Sequence, residues 1–227
     1  MKVLDLFCGT KSIARAFEER GHEAYTVDWN KDFDPTLCAD IGELTAEQII
    51  NLCGGGTPDV IWASPDCTTF SVAAIGRHRY DNGSGILLPK TEYAKLCDRI
   101  DAHVIELIQE LSPKYWFIEN PRGGMRKASF IQPINHLRHT VTYCQYGDTR
   151  MKPTDIWTNI KDPGFKPPCK NGDPCHVKAP RGSLSGTQGM KNARERSVIP
   201  HQLCEHIVDI CERENEVITE EEQLRMI

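Results

Sequence analysis

The apolar run Val3 to Phe7 leads through a turn containing Gly9 into a stretch with helical spacing, 11–19, and then into a second strand, 23–27, that ends in Asp28-Trp29. Strand, turn, helix and strand in that order make a βαβ opening, which imposes two parallel neighbours and a covering helix. The alternation continues. Strand-like Val60-Ile61-Trp62-Ala63 follows Pro58, apolar positions recur every three to four residues through 91–111, and Tyr115-Trp116-Phe117-Ile118 reads as the next strand. The expected fold is therefore α/β, a doubly wound, mostly parallel sheet covered on both faces. A chain of 227 residues has room for one such domain and a small appendage.

Beyond Trp157 the texture changes. Residues 162–188 hold five prolines and two cysteines with little periodicity, the mark of a loop-rich insert. The expected organisation is a catalytic core over 1–159, a short insert over 160–195, and a returning helix with an acidic tail over 196–227. Pro200 suits the first turn of that helix, and Leu203, Ile207 and Ile210 share one side of it. The tail 212–223 is expected to be frayed or surface-exposed.

No run of eighteen apolar residues exists, and Met1-Lys2-Val3-Leu4-Asp5 enters a strand without a charged leader. Neither a spanning helix nor a signal peptide is expected, and the protein is placed in the cytoplasm. Ten cysteines without a single CxxC pair then read mainly as small buried hydrophobes in a reducing compartment. Cys169, Cys175 and His176 invite a zinc reading, but three ligands at irregular spacing do not make a zinc signature, so no metal is expected. The net charge is −5, yet residues 120–200 carry fourteen Lys and Arg against five Asp and Glu. That basic stretch fits either a phosphate-facing surface or an ordinary solvated face.

In open parallel sheets a ligand sits beyond the carboxyl ends of the strands, nearest the first βα turn. Asp5, Phe7, Gly9, Thr10 and Lys11 belong to that turn. Asp28 is placed to accept hydrogen bonds from ribose hydroxyls, Trp29 to stack on adenine, and Asp40 with Ile41 to meet the base edge. Read singly, each acid also fits a surface or capping role. The G-x-G-x-x-G of a dinucleotide site and the Gly-x4 spacing of a P-loop are both missing, so an adenosine-containing cofactor without a polyphosphate fits better. S-adenosylmethionine is the candidate.

Three strings then fall in order: Asp5-Leu6-Phe7-Cys8-Gly9, Ser64-Pro65-Asp66-Cys67-Thr68-Thr69-Phe70-Ser71, and Phe117-Ile118-Glu119-Asn120-Pro121. With them the chain resembles the C5-cytosine DNA methyltransferases, whose cofactor motif, Pro-Cys nucleophile loop and Glu-Asn motif they match. The segment Cys144 to Trp157, with Arg150 and Lys152 two apart, resembles the family's paired-basic motif. Val198-Ile199-Pro200-His201-Gln202-Leu203 resembles the late motif that closes the cofactor pocket. The resemblance spans most of the chain and implies a Rossmann-like methyltransferase fold. It also implies S-adenosylmethionine as cofactor, contacted in part by Pro65, and double-stranded DNA as partner.

Carbon 5 of cytosine is a poor nucleophile, so a thiolate must first add to carbon 6; Cys67 is the expected nucleophile. Glu119 is the expected acid at N3, and Arg150 and Lys152 read as neighbours on one strand face that meet the base or a phosphate. The target base must be flipped out of the duplex. A buried structural cysteine and a satisfied ion pair are the plain alternatives for Cys67 and Glu119.

The chain departs from the family pattern in places. Asp66 stands where a second proline is usual, and is expected either to leave the loop more mobile or to raise the pKa of Cys67 through like-charge proximity. Lys11-Ser12 replace glycines, and Lys11 is expected to pair with the carboxylate of the cofactor. Little chain is left for target recognition. Lys178, Arg181, Gln188 and Lys191 in the insert are the candidate DNA contacts, with Ser71, Arg77 and Arg79 after the nucleophile loop and Asn120 and Arg122 after the acid. The compact size suits a phage or prophage enzyme, expected to act as a monomer without an obligate protein partner in a bacterium or phage-infected host cell. Three other readings stay open: an RNA (tRNA) cytosine methyltransferase, a noncatalytic DNA- or cofactor-binding relative, and an amino-group methyltransferase, for which Cys67 stands where an aromatic residue is wanted.

Overall fold

The structure, a computed structural model, describes residues 1–178 and 192–225. In chain order it contains β1 (Lys2–Leu6), α1 (Ser12–Glu19), β2 (Glu23–Asp28), β3 (Leu37–Cys38), α2 (Ala46–Leu52), β4 (Val60–Ala63) and α3 (Ile75–His78). A small hairpin, β5 (Arg79–Asp81) and β6 (Leu87–Pro89), precedes α4 (Glu92–Leu111) and β7 (Tyr115–Pro121). Then come β8 (Arg138–Thr142), β9 (Pro153–Thr158), α5 (Ala193–Ser197) and α6 (His201–Arg225). Seven strands form one sheet in the order β3-β2-β1-β4-β7-β9-β8, parallel except for β9.

The pleat explains the layers. In β1, Val3 faces one side with Trp62 of β4 and Phe117 of β7, and these pack on Ile13 and Phe17 of α1 and on Leu203 and Ile207 of α6. Leu4, Leu6, Ile61 and Ile118 face the other side, against Ile49 of α2 and Val104 and Leu107 of α4. Both faces are dry, so the central strands read as continuous apolar runs. Thr45 starts α2 with a capping box to Gln48, and Thr91 starts α4 by accepting from the Ala94 N–H.

The chain leaves β1 for β2 on one side and returns through α2 to β4 on the other, so the order reverses between β1 and β4. That switch point opens a crevice at the carboxyl ends of the strands.

Helix α6 runs on to Arg225, through a segment rich in Glu, which favours helix. One expectation changes. Arg150 and Lys152 are not strand neighbours, because β9 begins only at Pro153 and Lys152 has φ 24° in the loop before it. Over 160–178 the insert holds no helix or strand, and α5 starts within its expected span. None of the described helices is long and apolar enough to cross a membrane.

Candidate active site

The turn after β1 is tightly wound: Phe7, Gly9 and Lys11 have φ of 57°, 47° and 56°. Of these only glycine takes that conformation freely, so the turn is held by its neighbours. Asp28 at the end of β2 is the chief of them. Its two carboxylate oxygens accept the N–H groups of Gly9 (3.1 Å) and Asn30 (2.9 Å). Each oxygen keeps acceptor capacity for a ligand hydroxyl. Asp5 is buried beneath the turn and accepts from the Ala14 N–H at 3.3 Å. Burial pushes its carboxyl up to about 8, and the charge of Asp28 adds to this.

A raised carboxyl pKa favours folding below the unfolded value and loses that advantage as pH rises through the folded one. Asp5→Asn is therefore expected to flatten the fall in melting temperature between pH 4 and about 8, read from paired melting curves of the two proteins. An unchanged slope contradicts the assignment.

The nucleophile loop follows β4. Phe70 and Ser71 donate their N–H groups to the carbonyl of Cys67, and the buried Asn120 side chain donates to the carbonyl of Pro65 at 3.1 Å. Asp66 accepts from the Thr68 N–H and the Tyr93 hydroxyl, so the residue that replaces proline closes the loop with hydrogen bonds instead. From the other side the turn after β7 presses on it. The Gly124 N–H donates to the Phe70 carbonyl at 2.7 Å, and a Cβ on Gly123 would stand 2.5 Å from that oxygen. Gly123→Ala is expected to cost about 1–3 kcal/mol by overpacking and to lower kcat with little change in cofactor Kd. Unaltered turnover shows the contact to be slack.

Cys67 is half-buried, and its thiol is pushed up to about 11. Burial is the main cause, Glu119 and then Asp66 add to it, and Lys152 pulls the other way. Glu119 is buried, and desolvation raises its carboxyl above the ordinary range. The Tyr143 hydroxyl donates to Glu119 Oε1 at 3.2 Å, and Lys152 Nζ lies 3.3 Å from that hydroxyl. Acid, phenol and ammonium thus form one chain of contacts beside the thiol. The two sets of residues share one cleft of ≈ 650 Å³ at the switch point, lined by Asp5, Phe7, Thr10, Asp28, Trp29 and Pro65 together with Cys67, Glu119 and Lys152.

The family profile described as C-5 cytosine-specific DNA methylase matches residues 1–140. The chain belongs to that family. It is 30% identical over 230 residues to the "Probable DNA (cytosine-5)-methyltransferase" of Frog virus 3 (isolate Goorha), covering 93% of this chain and 100% of the viral protein. A second relative is the "Type II methyltransferase M.XorII" of Xanthomonas oryzae pv. oryzae, 26% identical over 53% of this chain and 28% of that protein. Among solved structures, the "putative DNA modification methyltransferase encoded within prophage Cp" of E. coli superposes with a TM-score of 0.52 at 18% identity. That match covers 77% of this chain and 52% of the E. coli chain, so this methylase-family member spans about half the length of its structural counterpart.

Several expected contacts fall elsewhere in the methylase fold. Arg150 is buried, and all five of its N–H donors have acceptors: Asp148 takes Nε and Nη2, and the carbonyls of Glu195, Arg196 and Val198 take the rest. It clamps the late motif and has no donor left for a base or phosphate. Arg79 is buried too, held by Asp98 at 2.7 Å, by both oxygens of Thr69, and against the Phe70 ring at 3.8 Å. It is a brace under the nucleophile loop, as Asn120 is a tie above it, and neither offers a surface to DNA. Asp40 spends its carboxylate on the Gly42 N–H, and Ile41 is in the core; neither lines the cleft. Lys11 binds Asp34 through its carbonyl and its carboxylate, and with Gly9 it shapes the turn rather than the cleft wall.

Arg77 and Arg122 remain exposed beside the nucleophile loop and after β7, and Lys178 is exposed at the end of the described insert. Ser71 is half-buried and donates to the Thr68 carbonyl. Arg181, Gln188 and Lys191 lie outside the described residues. The residues that sequence reasoning missed are Tyr143, Phe33, Arg194 and Arg196, all at the cleft or on its acid. Tyr143 stood one place before the paired-basic segment, and the two arginines lay just ahead of the late motif.

Proposed function

We propose that this protein transfers a methyl group from S-adenosylmethionine to C5 of a flipped cytosine in double-stranded DNA, acting as a monomer in the cytoplasm. The reading rests on the convergence of Cys67, Glu119 and Lys152 with Asp5, Phe7, Asp28 and Trp29 on one cleft. The residues suit the cofactor: Trp29 lines the cleft yet is 73% exposed, an aromatic face free to stack on adenine, and Asp28 can take ribose hydroxyls. S-adenosylmethionine, when bound, supplies an electrophilic methyl group.

The chain's own residues do the rest. Lys152 stabilises the thiolate as Cys67 gives its proton to solvent. Sγ then bonds to C6 of the cytosine, and the electron pair displaced from the C5–C6 bond moves into the ring. Burial favours the acid form of Glu119, so as the base enters it takes up a proton and meets that charge at N3 with a hydrogen bond. Tyr143 holds the acid in place. Once C5 has taken the methyl group, solvent removes the C5 proton, the S–C6 bond breaks and Cys67 is regenerated as thiolate. Of the candidate DNA contacts, Arg77, Arg122 and Lys178 are the described basic residues left to meet phosphates.

The test is trapping. A duplex containing 5-fluorocytosine cannot lose its C5 substituent as a proton, so the cycle should halt at an adduct that survives denaturation and maps to Cys67. A parallel tRNA substrate should accept no methyl group. Methylation of tRNA alone would move the activity to RNA, and cofactor binding without any adduct would leave a binding role.

A further inference from the structure

Cys144 ends up beside three residues from the insert. The ligand atoms of Cys144, Cys169, Cys175 and His176 all lie within 4.8 Å of one another. Cys144 Sγ is 3.1 Å from Cys169 Sγ and 3.6 Å from Cys175 Sγ, and His176 Nδ1 is 3.7 Å and 3.6 Å from the sulfurs of Cys169 and Cys175. Zinc–sulfur bonds of about 2.3 Å and zinc–nitrogen bonds of about 2.0–2.1 Å put tetrahedral edges at about 3.8 Å between sulfurs and about 3.5 Å between sulfur and nitrogen. Four of the six separations therefore lie near the edges of a zinc tetrahedron, and the other two are no longer than 4.8 Å. The sulfurs are unbonded, at separations well beyond the roughly 2.05 Å of a disulfide.

We propose that Cys144, Cys169, Cys175 and His176 bind one zinc ion through three thiolates and the imidazole Nδ1. Three thiolates with one imidazole favour zinc over calcium, magnesium or manganese, which prefer oxygen. All four corners come from the protein, so the site is structural, without an open position.

The site also answers a packing problem. Residues 160–178 form no helix or strand and bury only Ile160, Pro163 and Cys169. Ordering such a stretch costs roughly 1–2 kcal/mol per residue in backbone entropy alone, and metal binding can supply folding free energy where a core is lacking. Here the metal would tie the insert to the turn after β8, where Tyr143 adjoins Cys144 and touches Glu119. Backbone contacts prepare the corner: the Cys169 N–H donates to Thr142 Oγ1 at 3.0 Å and the Val177 N–H to the Thr149 carbonyl at 2.8 Å. Gln145 Nε2 lies 3.7 Å from Cys175 Sγ, an N–H donor of the kind that supports metal thiolates. The metal would thus fix the point from which the chain leaves toward the candidate recognition residues after Lys178.

Elemental analysis of the full chain, purified without chelator, should find about one zinc per molecule, and Cys169→Ser and Cys175→Ser should each lose most of it. Should those variants fail to fold, cobalt exchange into the unaltered chain decides. It should give the intense visible bands of tetrahedral thiolate coordination, and stripping the metal should open tryptic cleavage at Lys170 and Lys178. A metal-free chain with no cobalt bands, zinc retained by both serine variants, or a Cys144–Cys169 disulfide would overturn the proposal.

Discussion

Cys67→Ala is expected to lower methyl transfer by a factor on the order of 10⁴ or more, the scale on which loss of an enzymic nucleophile is felt, while cofactor affinity stays close to that of the unaltered protein. The asymmetry follows from position. On the proposed mechanism Cys67 bonds to the substrate only once the reaction begins, whereas Asp28, Trp29 and the turn after β1 are the candidate cofactor contacts of the same cleft. Single-turnover assays with labelled cofactor, paired with a cofactor-binding titration, measure the two quantities separately. Activity within tenfold of the unaltered protein would make Cys67 one more buried cysteine and remove the covalent mechanism.

The second large effect is at Glu119. Glu119→Gln keeps the shape and the contact with Tyr143 but loses the acid proton, and should reduce methyl transfer by about 10²–10⁴, the usual contribution of a positioned acid. It should also change the thiol in the opposite sense. Glu119 is the leading charge that raises the Cys67 pKa, so its neutral replacement lowers that pKa, increases the thiolate fraction at pH 8 and speeds alkylation by iodoacetamide. A misfolded site would expose the thiol and speed alkylation as well, so the melting temperature and cofactor affinity of the variant are read alongside and are expected to match those of the unaltered protein. Alkylation mass spectrometry at Cys67 reads the second half, and a slowed alkylation would place Glu119 outside the electrostatics of the thiol.

The parts of the molecule that were legible in sequence are those written in short, local strings. β1, its turn and β2 announced themselves through periodicity, and the nucleophile and acid strings each end a buried strand, which delivers both to the same edge of the sheet. What sequence could not show depends on partners far along the chain. Arg79 and Arg150 have the composition of surface cations, and only Asp98, Thr69, Asp148 and three backbone carbonyls turn them into buried braces. Cys144 stood within a motif assigned to another role, 25 residues from Cys169, at a spacing no zinc signature covers. Tyr143 carried no motif of its own; its role comes from the pairing of β8 with β9 and of β9 with β7, which sets its hydroxyl on Glu119.

The central claim is that this cleft makes 5-methylcytosine in DNA through Cys67. Nucleoside mass spectrometry on DNA from a host lacking cytosine methylation, expressing either the unaltered protein or Cys67→Ala, tests it in one comparison. The account predicts 5-methylcytosine with the unaltered protein and none with the variant. Absence of 5-methylcytosine from both, with the unaltered protein folded and cofactor-bound, or its appearance in both, would contradict it.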